Sequence, residues 1–323
     1  MSGVDIVYPT ARAEPAFGWF ADGLACQLGD DADVRVIVVD GRDAPGRREH
    51  FEAAVAGRFE ILHVRAKPSP HQGPHRRTAS DCFAAGSARN TGLIHATAPT
   101  VAFVDDSSLP MPGWWSAVRR AAGRGEVVGG AYQRHWAMQV RGGRLESSRA
   151  HAGGVDTRWP LGDDSRPVPI GGARLYGATI CAPRELLLSL NGFDEICGMI
   201  GGEDWQLGLR LDNAGIPVLY DRSMLIIESE ELGRQEPVLL RIDPEIGEDE
   251  YSERLAEFGL PARRTTGRRD ASHFLADMVL GTGSSATFGN YYWLADLTPE
   301  SVDRTSSRFP ERFWFDHRPL SGI

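Results

Sequence analysis

TVAFVDDSSLPMPGWW, residues 100–115, reads as a buried strand that ends on two carboxylates. The run from Thr100 to Val104 is short and apolar, which fits a strand covered on both faces. Pro110 and Pro112 stop the extended chain, because proline offers no N–H to a ladder. Trp114-Trp115 then open a helix that can fold back on the sheet. In an open α/β sheet, ligands bind beyond the carboxyl ends of the strands. Asp105, Asp106 and Ser107 therefore put hard oxygen donors, the kind that Mg²⁺ or Mn²⁺ takes, where a site is expected. Asp and Ser also start turns for local reasons alone, so the rest of the chain has to decide.

Working outward, VDIVYPT (4–10), VRVIVVDG (34–41), FEILHVRA (59–66), EVVGGAYQ (126–133) and YGATICAP (176–183) read as further strands. IPVLYD and MLIIES read as two short ones. Helices are expected over 14–28, 80–97, 184–190 and 202–215, the last stopped by Asn213-Ala214-Gly215. Strands alternating with helices predict an α/β fold with a Rossmann-like, mainly parallel sheet flanked by helices. Residues 138–172, rich in Gly, Arg and Asp, read as a long excursion over the active face. Residues 1–235 are expected to form the catalytic domain, and 236–323 a helical or irregular C-terminal extension packing on it. Its arginine-rich loop, ARRTTGRRDASHF, reads as solvated. Its aromatic tail (Phe309, Phe313, Trp314, Phe315) is too apolar to stay in water, so it is expected to pack inward or to join copies into a homo-oligomer.

A chain of 323 residues buries a core without a disulfide or metal staple. The net charge of −9 argues against a duplex nucleic acid partner. Cys26, Cys82, Cys181 and Cys197 form no CxxC pair, so they read as reduced, mostly buried thiols of a cytoplasmic protein. The start, MSGVDIVYPT, has no secretory pattern, and no run is long and apolar enough for a membrane span.

Four further groups carry candidate chemistry. Glu203-Asp204 follow Gly201-Gly202 at the start of a mostly buried helix, which suits a general base as well as an N-terminal cap. Arg89 and Asn90, in SARNTG (87–92), are placed to reach a pyrophosphate or a base edge, or simply line a polar helix face. Asp40 ends VIVVD, where a strand-end acid can accept from a ribose or a base. Gly171-Gly172-Ala173 would let a sugar approach the backbone, with Arg174 facing the donor. Trp136, Trp159 and Tyr176 are candidates to stack on sugar faces, whereas Trp205 reads as packing.

Taken in order, VIVVDG, ARNTG, VAFVDDSSLPMPGWW, GGARLYGATICAPRELLLSLNGFDE and GGEDWQLGLRL resemble the family 2 glycosyltransferases of the GT-A fold. GFDEICGMIGGEDWQLGLRL (192–211) is also similar to a stretch of the β-1,4-galactosyltransferases. The resemblance covers roughly residues 4–230. It implies a Mn²⁺ or Mg²⁺ cofactor, a nucleotide-sugar donor (UDP favoured), and a saccharide or other hydroxyl as acceptor. By position, Asp40 would contact the base, and Arg89 and Asn90 the nucleotide. Asp105 and Ser107 fall at the ends of the family's metal motif, with Asp106 between them. Asp204 would be the base of an inverting transfer, with Glu203 its companion. Ser107 departs from the acid usual there, and Glu228 stands where such families often carry a metal-binding His. A nucleotidyltransferase and a non-catalytic sugar- or nucleotide-binding module remain as alternatives, and the first would usually carry a phosphate loop where this chain has YPTARAEP.

Overall fold

A computed structural model describes residues 3–29, 33–42, 44–67, 84–162, 166–195, 202–234 and 294–304. One sheet organises them. Its strands are β1 (Val4–Thr10), β2 (Val34–Asp40), β3 (Glu60–Arg65), β4 (Thr100–Val104), β5 (Ser108–Pro110), β6 (Val127–Arg141), β7 (Arg144–Val155), β8 (Val168–Ile170), β9 (Thr179–Pro183) and β10 (Val218–Ser229). The order is β3-β2-β1-β4-β9-β6-β10-β5, with β7 beside β6 and β8 beside β10. Neighbours β1 to β4 run parallel, and β9 lies antiparallel between β4 and β6. The helices are α1 (Phe17–Ala25), α2 (Arg47–Val55), α3 (Ala85–His95), α4 (Trp114–Arg124), α5 (Arg184–Ser189), α6 (Glu203–Asn213), α7 (Glu230–Arg234) and α8 (Pro299–Arg304).

The β-branched runs have no polar face because both sides of the sheet are covered. Side chains alternate along a strand. Ile6, Tyr8, Val36, Val38, Ala102 and Val104 pack with Phe17, Phe20 and Trp114 from α1 and α4. Val7, Ile37, Val39, Val101 and Phe103 pack on the other side with Leu93 of α3 and Leu207 and Leu211 of α6. Trp114 opens its helix as expected and donates its indole N–H to Thr179 Oγ1 at 3.1 Å. Leu294, Leu297 and Val302 join the second group, so this part of the C-terminal segment rests on the core. Arg263, Arg264, Arg268, Arg269 and the aromatic tail lie outside the described residues.

Two expectations need correction. The excursion over 138–172 is in its first half a β-hairpin, with β6 and β7 joined through Gly142 and Gly143, both at positive φ. The two short strands IPVLYD and MLIIES are one strand, β10, with an irregularity between Asp221 and Ile226. Of the cysteines, Cys181 is buried and Cys26 exposed; Cys82 and Cys197 lie outside the described residues. No helix among the described residues is long and apolar enough to cross a membrane.

Candidate active site

The carboxyl ends of β1, β2 and β4 meet at one edge of the sheet. Thr10 pairs with Asp40 in register, and Asp105 follows Val104 directly. From the far side of the sequence, Gly202 adopts φ 102°, a conformation open to glycine, and turns the chain into the first turn of α6. The helix lies unusually close to its neighbour. A Cβ on Gly172 would sit 1.8 Å from the Gly208 carbonyl, and Gly172 N–H binds Asp212 Oδ2 at 2.7 Å. Gly172 is therefore small to admit α6, not a sugar. Arg174, in the same turn, is exposed.

Arg89 joins the two halves. Its Nη2 donates to Asp105 Oδ1 at 2.6 Å and its Nη1 to Glu203 Oε1. Nη2 also lies 3.3 Å from the Gly177 carbonyl, while Gly177 N–H donates to Asp204 Oδ2 at 2.5 Å. Asp204 Oδ1 accepts the Trp205 N–H at 2.7 Å, the usual role of an acid in a first helical turn. The Gly177 peptide is thus the seam between strand end and helix start. A Cβ there would fall 2.8 Å from Arg89 Nη2 and 3.2 Å from Asp204 Oδ2. Burial opposes the charge on Arg89, but Asp105, Glu203 and Asp204 outweigh it and hold the guanidinium protonated. Burial raises the Glu203 pKa, and Asp204 adds to the rise, while Arg89 opposes both.

Asp106 faces the other way. Thr10 Oγ1 donates to its Oδ2 at 2.7 Å and Arg12 Nε to its Oδ1 at 2.9 Å. Burial raises its pKa against those two donors. Ser107 sits at φ 60°, its N–H shared between Pro15 O and Tyr8 Oη. Its buried Oγ has no partner among the described residues. Glu228 lies across the ladder from Ser108 and accepts from Arg134 Nε at 3.0 Å. Burial, and then the charges of Asp105 and Asp106, push its pKa up to about 7 against the pull of Arg134. Three carboxylates thus repel one another at the end of the DDSS turn.

Two candidates are committed elsewhere. Asn90 is fully buried, and its amide clamps the turn after α5: Nδ2 donates to Phe193 O and Glu195 Oε1, and Oδ1 accepts from Phe193 N–H. No polar atom of it is left for a nucleotide. Glu195 in turn receives the buried Lys67, which burial makes less basic. Asp40 is also fully buried, held by Arg47 through Nε at 2.8 Å and Nη2 at 3.0 Å, by Arg42 N–H, and by His63 at 3.2 Å. Burial would raise its pKa, but His63 and Arg47 win and lower it. The group presented above Asp40 is therefore Arg47.

Of the aromatic candidates, Trp159 carries Arg222 over its ring at 4.1 Å. Trp205 is half-buried. Tyr176 covers Arg158 at 4.3 Å, and Tyr220 lies on the same guanidinium at 4.6 Å. Arg158 is bidentate to Asp156 and donates to the Gly130 carbonyl at 2.6 Å, a pillar beneath Tyr176 and hence beside Gly177. Arg12, Arg47, Arg158 and Gly177 were not singled out from sequence.

No family model matches the sequence, and no curated protein matches it. Solved structures do. GalNAc-T7 with UDP, GalNAc and Mn²⁺ superposes with a TM-score of 0.51 at 10% identity, over 79% of this chain and 48% of that one. Two structures of S. aureus TarS match at a TM-score of 0.49 and 13% identity over 86% of this chain. One of them is residues 1–349 with UDP-GlcNAc, covered over 71%. The chain spans only 43% of the other TarS chain. The GalNAc-T7 likeness and the mixed, mainly parallel sheet flanked by helices decide the fold. The fold is GT-A. At these identities the likeness extends to the fold and no further.

Proposed function

We propose that this GT-A chain is a glycosyltransferase that moves a sugar from a nucleotide-diphosphate donor, UDP-linked by preference, to an acceptor hydroxyl with inversion. Residues 1–235 would carry the reaction, with 236–323 as an extension against it. The observation that carries the reading is the single guanidinium of Arg89, which binds Asp105 and Glu203 while Gly177 holds Asp204 alongside. Acids about a hundred residues apart in sequence thereby gather around one guanidinium and the peptide beside it.

In the reaction the acceptor oxygen bonds to C1 and the bond from C1 to the diphosphate oxygen breaks. The hydroxyl proton goes to Asp204. A positioned base contributes roughly 10²–10⁴-fold. Glu203, held by Arg89, would orient the acceptor hydroxyl, since its buried Oε2 has no partner among the described residues. Arg89 keeps Asp105 and Glu203 in place, the Gly177 N–H holds Asp204, and Arg47 over Asp40 would be the group nearest to a base edge.

The donor set fits a divalent ion of the sparsely held kind. Asp105 is 36% exposed and bonds Arg89 through its Oδ1, and the pKa of Glu228 is raised by burial and then by the charges beside it. Mg²⁺ is commonly held by one or two carboxylates plus substrate phosphates. Among the described residues there is no group of three or more His, Cys, Asp or Glu suited to an ion. Asp105 and Glu228 would hold it, with Ser107 Oγ nearby and Asp106 acting through its charge. When bound, Mn²⁺ or Mg²⁺ supplies Lewis-acid neutralisation of the leaving diphosphate.

A thermal-shift screen of nucleoside diphosphates with and without Mn²⁺ tests the donor side. A ligand at a hundred times its Kd stabilises the fold by about 2.7 kcal/mol. UDP with Mn²⁺ is expected to raise the melting temperature more than either alone. No rise with any nucleoside diphosphate would overturn the reading.

A further inference from the structure

We propose that Trp136 is the platform of a saccharide subsite on the β6–β7 hairpin, taking a neutral, pyranose-built acceptor chain beyond the residue that reacts. The acceptor role rests on the transferase reading above; the binding site does not. β6 runs in the same direction as β4, because β9 is antiparallel to both. Its C-terminal end therefore leaves the sheet on the edge where Asp105 stands.

Tyr132, Arg134 and Trp136 alternate along β6 and so share a face. That face looks onto the site. The Tyr132 ring meets Tyr176, the neighbour of Gly177, edge-on at 6.1 Å, and Arg134 binds Glu228. Simple alternation would continue the face to Met138. The chain breaks it instead. Ala137 sits at φ 51°, in the left-handed region that alanine rarely enters, and the pairing register shifts between Trp136 and Gln139. Glu231 Oε1 accepts the Ala137 N–H at 2.9 Å and fixes the bulge.

The consequence is a division of labour between two residues of the same parity. Met138 turns inward onto Leu109 and Ile227. Trp136 stays half-buried on the face that Arg134 shares. Bulges beside functional sites re-aim side chains in this way, and strain held by a dedicated partner points to use. The chemistry beside the indole suits a sugar. His151 meets Trp136 edge-on at 5.9 Å, and its Nδ1 lies 3.7 Å from Glu230 Oε2. An indole offers a surface for the C–H face of a pyranose, and an imidazole next to a carboxylate offers partners for its hydroxyls. Tyr132 to Trp136 spans about 13 Å of strand, longer than one sugar ring.

The full chain, labelled and applied to an array of immobilised oligosaccharides with UDP and Mn²⁺ present, tests this. Wild type is expected to bind at least one neutral glycan. W136A is expected to lose binding to it by roughly tenfold or more, and W136F to recover much of it, both melting near wild type. His151→Ala, which empties no core position, should weaken the same binding. Wild type binding no glycan, or W136A and H151A both binding as wild type does, would overturn the platform. The transferase reading fails separately. Trp136-dependent glycan binding without consumption of any nucleotide sugar would sink the transferase and leave the platform. Transfer with an unchanged acceptor KM in W136A would do the reverse.

Discussion

Glu228→Gln should make the protein more stable at pH 8 and not at pH 5. The Glu228 side chain is 13% exposed and lies within reach of the charges of Asp105 and Asp106. Its pKa stands at about 7 instead of the ordinary 4.5. A carboxyl whose folded value is raised stabilises the fold below the unfolded value, and that stability drains away as pH rises through the folded one. Here the window runs from about pH 4.5 to about pH 7. At about 1.4 kcal/mol per pH interval, wild type loses about 2–3 kcal/mol from this group between pH 5 and pH 8. Glutamine does not titrate and keeps an oxygen for Arg134, whose own side chain is half-exposed and contributes little as a charge partner. Urea denaturation of both proteins at both pH values, followed by tryptophan fluorescence, gives the difference by linear extrapolation. The gap between variant and wild type should move by about 2–3 kcal/mol in favour of the variant at the higher pH. A gap unchanged with pH, or one moving towards wild type, would refute the crowding of acids at the DDSS turn. If Glu228 helps to hold a cation, Mn²⁺ at pH 8 should stabilise wild type more than E228Q.

Gly177→Ala puts a methyl group 2.8 Å from Arg89 Nη2, so both Arg89 and Asp204 must shift. Turnover should fall roughly tenfold or more for a cost in stability of about 1–3 kcal/mol, read by steady-state kinetics beside denaturant melts. Arg158→Met removes a guanidinium that is 1% exposed and strands the fully buried Asp156. It should cost about 3–5 kcal/mol by the same melts, and D156N in addition should recover part of that loss.

The strands that frame the site were legible because burial on both faces leaves a plain signature. Val34 to Val39 and Thr100 to Val104 are nearly unbroken apolar runs, and both end on acids. The meeting of Asp105 with Glu203 and Asp204 was expected from motif order. The shared partner, Arg89, was named for a nucleotide but is spent on holding those acids. The hairpin was not legible. RGGRLESSRAHAGGV is polar on both sides because β7 is largely exposed on both, so the period-two signal is absent. The protein partners of Asn90 and Asp40 were not legible for another reason. A polar residue in a motif reads the same whether it faces a ligand or a buried backbone. Only the packing of Phe193 against α3, and of Arg47 over Asp40, tells the two apart.

Asp204→Asn offers the sharpest measurement, made on a UDP-sugar that the thermal screen has shown to bind. Turnover should drop by roughly 10²–10⁴-fold while the donor Kd stays within about twofold, because the amide oxygen still accepts the Trp205 N–H at the start of α6 and gives up only the bond from the Gly177 N–H, but takes no proton. An asparagine variant that turns over at the wild-type rate would contradict the role of Asp204, and with it the claim that acids gathered around Arg89 perform the transfer.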